Sequence, residues 1–183
     1  MIGFISGGAR SGKSAYAEKR AKELYQHSKL NNPLASLVYL ATAISIDEEM
    51  VKRISTHQVD RGEAWVTIEE PLNIAGVIRR RAAGDIILLD CLTLWLSNAM
   101  FQHDLGLTQL ESILLNCIQE AKHRQIDLLI VSNDLHEGVP LRDTYVVSYI
   151  RTLQKLHLTL VSLSDEAVQI VAGIPIYWKG VKR

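Results

Sequence analysis

Short, nearly unbroken aliphatic runs alternate along the chain with longer stretches whose apolar positions recur at helical spacing. The short runs predict strands at Ile2–Ser6, Leu37–Ala41, Trp65–Ile68, Ile86–Asp90, Leu128–Ser132 and Ala167–Ala172. The fourth and fifth are almost wholly aliphatic, the pattern of parallel strands buried on both faces. Helices are predicted between them at Lys13–Gln26, Asp47–Gln58, Pro71–Ala83, Leu92–Phe101, Thr108–Arg124 and Leu141–Ser164, the last as one helix or two. Capping patterns Ser45-x-x-Glu48 and Thr108-x-x-Glu111 open the second and fifth. The third has proline at its start and Gly84 just past its end. In the fifth, Leu110, Ile113, Leu114, Cys117, Ile118 and Ala121 form one stripe. This alternation predicts an α/β fold with a mostly parallel sheet and helices on both faces. No internal repeat, low-complexity tract or linker interrupts it, so residues 1–183 read as one domain.

Composition narrows the function classes. Hydrophobic residues make up 48% and charged residues 22%, as in a folded globular chain. Twenty basic residues balance twenty acidic ones, without the basic excess of a nucleic-acid or anionic-membrane partner. No apolar stretch is long enough for a spanning helix, and no signal-peptide pattern opens the chain, so the cytoplasm is the expected location. Cys91 and Cys117 fall in apolar runs and read as buried thiols rather than a disulfide framework. The six histidines show no metal-ligand spacing with one another or with the cysteines.

The strongest chemical signal is Gly7-Gly8-Ala9-Arg10-Ser11-Gly12-Lys13-Ser14, which fits G-x-x-x-x-G-K-[ST] between a predicted strand and a predicted helix. Glycines let the backbone curl so that successive N–H groups face phosphate oxygens. The following helix adds its positive end. Lys13 is expected to neutralise the β- and γ-phosphates, and Ser14 to offer its hydroxyl to Mg²⁺. A second acidic group is expected at the end of another buried strand. Asp90, after four aliphatic residues, suits a magnesium-bound water or a ribose hydroxyl, and also suits an N-cap for the next helix.

His57 follows Met50 and Ile54 on the apolar side of its predicted helix. By itself this fits a core histidine or a helix C-terminal cation. It also fits a neutral imidazole that attacks an α-phosphate. Arg79-Arg80-Arg81 reads as a solvated helix end, and Trp95 as core. His136 and Glu137 fall in the loop after the fifth strand, at the edge where open α/β sheets bind ligands.

Several segments taken together resemble the bifunctional adenosylcobinamide kinases / adenosylcobinamide-phosphate guanylyltransferases of cobalamin biosynthesis. They are the phosphate loop; Tyr39-Leu40-Ala41-Thr42-Ala43; Asp47-Glu48-Glu49-Met50 with Arg53-Ile54 and His57; Trp65-Val66-Thr67-Ile68-Glu69-Glu70-Pro71; and Leu88-Leu89-Asp90-Cys91-Leu92-Thr93-Leu94-Trp95-Leu96-Ser97-Asn98. Order and spacing agree through about residue 100, and Ala172-Gly173-Ile174-Pro175 returns to the pattern. Between them, Ser132-Asn133-Asp134-Leu135-His136-Glu137-Gly138-Val139-Pro140 is one residue shorter than the family pattern and carries aspartate where the family has glutamate.

The resemblance implies a RecA-like P-loop NTPase fold and a homotrimer. It implies that a corrinoid hydroxyl is phosphorylated from ATP or GTP, and that GMP then passes from GTP to that phosphate through a guanylylated His57, with Mg²⁺ as cofactor. Guanine-nucleotide contacts would fall on Gly7, Gly8, Ala9, Arg10, Ser11, Gly12, Lys13 and Ser14, on Thr42 and Ala43, on Gln58, Val59, Asp60 and Arg61, and on Glu69 and Asp90. Two other readings stay open at the level of sequence: a P-loop kinase for another small metabolite, and a non-catalytic GTP-binding paralogue.

Overall fold

The computed structural model describes residues 1–44, 62, 64–135 and 143–180. Its elements in chain order are β1 (Ile2–Gly7), α1 (Lys13–Asn31), β2 (Leu37–Ala41), β3 (Trp65–Glu69), α2 (Ile74–Arg79), β4 (Ile86–Asp90), α3 (Leu92–Phe101), α4 (Leu107–His123), β5 (Asp127–Asn133), α5 (Thr144–Leu163), β6 (Glu166–Val171) and β7 (Ile174–Lys179). The predicted helix Asp47–Gln58 lies outside the described residues.

Among the described residues seven strands form one sheet in the order β3-β2-β4-β5-β1-β6-β7. All pairings are parallel except β6 with β7, which is antiparallel. Helices cover both faces, so the α/β architecture with a mostly parallel sheet expected from the alternation is present. Successive residues of each strand point to opposite faces, and the core divides accordingly. Ile2, Phe4, Ile87 and Leu89 pack beneath α2, α3, α4 and α5. Ile5, Ile86 and Leu88 pack with Ala17 and Ala21 of α1 on the other face. Strands β4 and β5 are buried along their aliphatic cores, which is why their sequence shows no alternation. Among the described residues no helix is long and apolar enough to cross a membrane.

Four expectations are corrected. The third helix spans Ile74–Arg79 rather than Pro71–Ala83. The carbonyls of Pro71 and Leu72 accept hydrogen bonds from Asn98 (3.2 Å) and Trp95 (2.9 Å) of α3. Asn73 becomes the N-cap, its side chain accepting from the Gly76 N–H at 3.0 Å. The helix stops early because the buried Asp85 carboxylate takes the Ala82 N–H at 3.1 Å. Helix α4 begins at Leu107 with Gly106 as N-cap, and Gln109, not Glu111, reaches back to the Gly106 N–H (2.9 Å). The first helix runs on past Gln26 to Asn31, just before Pro33.

The fourth correction is strand β7, which the hydrophobic pattern did not predict. It follows a two-residue turn, Ala172 (φ 49°) and Gly173 (φ 82°), both left-handed as in a type I′ hairpin. Pro175 is tolerated because β7 is an edge strand.

Candidate functional site

The parallel strands bring their carboxyl ends to one edge of the sheet, where the phosphate loop, Thr42, Glu69 and Asp90 all emerge. Strand β1 is flanked by β5 and β6, so the loop leaves from the interior of this edge. Its bends rest on left-handed residues: Arg10 (φ 59°) and Gly12 (φ 91°), the N-cap of α1. Gly7 is needed for space. A Cβ there would lie 2.5 Å from Ser11 Oγ and 2.7 Å from the Ile170 carbonyl oxygen.

Lys13 is the first residue of α1 and is 9% exposed. Its ammonium donates to the Gly8 carbonyl at 3.0 Å, which folds the side chain back over its own loop. Ser14 follows it in the first turn and is half-buried. The Ser11 hydroxyl is buried and has no hydrogen-bond partner among the described residues. A buried orphan hydroxyl is costly, and here it sits in a loop whose motif binds phosphate oxygens. The arrangement can bind a polyanion through backbone N–H groups and one ammonium.

Asp90 ends β4, two strand spacings from β1, or roughly 10 Å. Its Oδ2 accepts from the Tyr39 hydroxyl at 2.9 Å. It does not cap α3, since the N-cap is Cys91 and no side chain bonds there. The Asp90–Cys91 peptide is cis. A polar network fixes this junction. The fully buried Thr42 hydroxyl donates to the Cys91 carbonyl (2.7 Å) and accepts from the Cys91 N–H (2.9 Å). Asn98 donates to the Thr42 carbonyl at 2.9 Å. The Cys91 thiol and the Thr93 hydroxyl lie 2.9 Å apart, Asn133 donates to that hydroxyl (2.9 Å), and Tyr149 donates to the Thr93 carbonyl (2.8 Å).

Burial raises the Cys91 thiol pKa, and the Asp90 charge adds to it. The Thr93 and Leu94 hydrogen bonds and the Lys13 charge act the other way. Both Lys13 and Asp90 therefore lie within electrostatic reach of Cys91. Burial likewise raises the Tyr149 phenol, which stays neutral as a donor.

Ala43 continues from Thr42 and is half-buried. Glu69 ends β3, level with Asp90 across Ala41 but two strands outward, and is exposed. Along this edge Asp90, Thr42 and Glu69 thus follow the phosphate loop outward, from β1 toward the outermost strand β3. His57, Gln58, Val59, Asp60 and Arg61 lie outside the described residues, as do His136 and Glu137. Arg79 and Arg80 are exposed as expected, but Arg81 is half-buried, its Nε without a hydrogen-bond partner among the described residues, and Trp95 is fully buried.

Sequence reading missed Tyr39, Thr93, Asn133, Asp134 and Tyr149. Asp134 sits beside the phosphate loop: its N–H donates to the Gly7 carbonyl (3.0 Å), and its Oδ2 accepts from Gln169 (2.9 Å) and the Ser6 hydroxyl (3.4 Å). Position at a strand's carboxyl end was the available signal for Asn133 and Asp134. Nothing local marks Tyr149, which arrives from α5. Among the described residues no cluster of three or more His, Cys, Asp or Glu could hold a metal ion by itself.

Residues 3–177 match the family of cobinamide kinases / cobinamide phosphate guanyltransferases. The chain is 37% identical over 182 residues to the bifunctional adenosylcobalamin biosynthesis protein CobP of Pseudomonas aeruginosa, covering 98% of each chain. It is 26% identical over 189 residues to the bifunctional adenosylcobalamin biosynthesis protein CobU of Salmonella typhimurium, covering 96% of this chain and 98% of the relative. Over 104 residues it is 32% identical to the Escherichia coli CobU, covering 56% and 52%.

Proposed function

Because the chain belongs to the cobinamide kinase / cobinamide phosphate guanyltransferase family, we propose that it phosphorylates the side-chain hydroxyl of adenosylcobinamide and then caps that phosphate with GMP. The observation that carries this reading is the phosphate loop, with the buried Lys13 at its head and Asp90 beside it on the same sheet edge. A kinase requires both parts, a polyanion cradle and a carboxylate near the transferred group.

In the first step the acceptor hydroxyl oxygen bonds to the γ-phosphorus of ATP or GTP, and the β–γ bridging bond breaks. Backbone N–H groups of the loop and Lys13 hold the β- and γ-phosphates and meet the charge that builds on their oxygens. The Ser14 hydroxyl and the Asp90 carboxylate would hold Mg²⁺ brought in by the phosphates. That donor set is too small to bind the ion without them, as befits Mg²⁺. The ion would neutralise phosphate charge. The Tyr39 hydroxyl, donating to Oδ2 at 2.9 Å, orients the Asp90 carboxylate.

In the second step an imidazole nitrogen of His57 bonds to the α-phosphorus of GTP, and pyrophosphate leaves. The corrinoid phosphate then attacks the same phosphorus and frees the histidine. Thr42, Ala43, Gln58, Val59, Asp60, Arg61, Glu69 and Asp90 form the guanosine side of this reading. The residue assignments rest on the family resemblance and on strand position. The reading includes a homotrimer, which sedimentation would report as three times the chain mass.

Mass spectrometry of adenosylcobinamide incubated with the protein, Mg²⁺ and GTP tests the reading. The expected products are a phosphorylated corrinoid and then its GMP-capped form. An unchanged corrinoid beside hydrolysed GTP would refute both transfers.

A further inference from the structure

On the side of β1 away from Asp90, α1 and the β6–β7 hairpin enclose a cleft of about 580 Å³. That is within the range of small-molecule sites, roughly 300–1,000 Å³. One wall is a face of α1, where Ala15, Tyr16, Lys19 and Arg20 recur at helical spacing. The other is the inward face of β7, Pro175 and Tyr177, with Gly173 at the turn.

The cleft is continuous with the phosphate loop. Gly12 belongs to both, and the Gly173 N–H donates to the Ser11 carbonyl at 2.9 Å, which clamps the hairpin turn onto the loop. The orphan Ser11 hydroxyl lies at this junction. At the opposite end Arg20 and Glu166, which also line the cleft, pair at 2.9 Å.

The lining suits a flat, partly apolar group with polar edges. The Tyr16 and Tyr177 hydroxyls are 2.9 Å apart, so one donates to the other and the second keeps its proton for a ligand. Lys19 is exposed at the mouth. A phosphate chain held by the loop passes the first turn of α1, where Ala15 already lines the cleft.

We propose that the purine and ribose of the nucleoside triphosphate that donates its γ-phosphoryl group occupy this cleft, against Tyr16, Pro175 and Tyr177. The inference rests on the kinase reading above. The guanosine of the nucleotidyl-transfer step is read on the other side, toward Thr42, Ala43 and Glu69. Two base positions then flank one phosphate cradle, and the two nucleotides exclude each other.

Titration calorimetry on the full chain with Mg²⁺ tests this, using adenylyl imidodiphosphate and inorganic tripolyphosphate as ligands. Tyr177→Ala should weaken the nucleotide about tenfold, the size of one lost base–aromatic stacking contact. Tripolyphosphate binding should not change, which also shows that the variant is folded. Tyr177→Phe, which keeps the ring, should bind the nucleotide like wild type. Three results would overturn the inference: a nucleotide that binds wild type no tighter than tripolyphosphate, a Tyr177→Ala variant that binds it normally, or one that loses both ligands equally. Binding of neither ligand to wild type would overturn it together with the phosphate-loop reading. The kinase reading fails separately, if the nucleotide binds through Tyr177 but no phosphate reaches the corrinoid.

Discussion

In the proposed reading Lys13 couples the phosphate loop to its chemistry while contributing little to the fold. Among the described residues its ammonium is held by one carbonyl, that of Gly8, at 3.0 Å. Lys13→Ala should therefore leave the melting temperature near wild type while nucleotide-dependent transfer falls by about 10²–10³-fold, the usual loss for one charge-stabilising donor. Activity assays paired with thermal melts check this. Cys117 is a contrasting case. Burial pushes its thiol up to about 12 from an ordinary 9.0. Below about pH 9 both folded and unfolded chains keep the proton. Above it the unfolded chain loses a proton that the folded chain retains, so stability falls as pH rises toward 12. Stability curves from pH 8 to 11 should flatten in Cys117→Ala relative to wild type. At this scale the phosphate loop was legible because its glycine and lysine spacing is local. The Thr93 network was not, because its partners Cys91, Asn133 and Tyr149 come from three separate parts of the chain.

Elements were legible where burial is symmetric and boundaries are local. Strands β4 and β5 read as aliphatic runs because both faces are covered, and Asp90 stood out as the acid that ends one of them. Boundaries set by tertiary partners were misread. Helix α2 starts after Pro71 because α3 side chains claim the Pro71 and Leu72 carbonyls, which no helical pattern encodes. The real start depends on Asn73 and on Glu70, whose carboxylate accepts from the Leu72 (3.0 Å) and Asn73 (2.7 Å) N–H groups. Asn73→Ala should cost about 1 kcal/mol, as for other N-caps, measured by urea unfolding with an unchanged slope. Strand β7 was missed although Ile174, Ile176 and Trp178 alternate with Pro175, Tyr177 and Lys179. The apolar set of that alternation faces outward and is exposed, so the pattern did not announce burial.

Among the described residues the molecule is a sheet whose carboxyl edge collects the candidate chemistry and whose interior strand β1 carries the phosphate loop. That placement follows from parallel pairing: each strand ends at the same edge, so Thr42, Glu69, Asp90 and Asn133 converge although they are far apart in sequence. Family membership adds the acceptor and the second reaction, which geometry alone does not specify. Of the proposed steps, guanylyl transfer through His57 is the one that separates this chain from an ordinary P-loop kinase. Intact-mass measurement after incubation with Mg²⁺ and GTP, beside His57→Ala, tests it most directly. Wild type should carry an acid-labile adduct of one GMP per chain, and the variant none. A wild-type chain that binds GTP and forms corrinoid-GDP without ever carrying the adduct would contradict it.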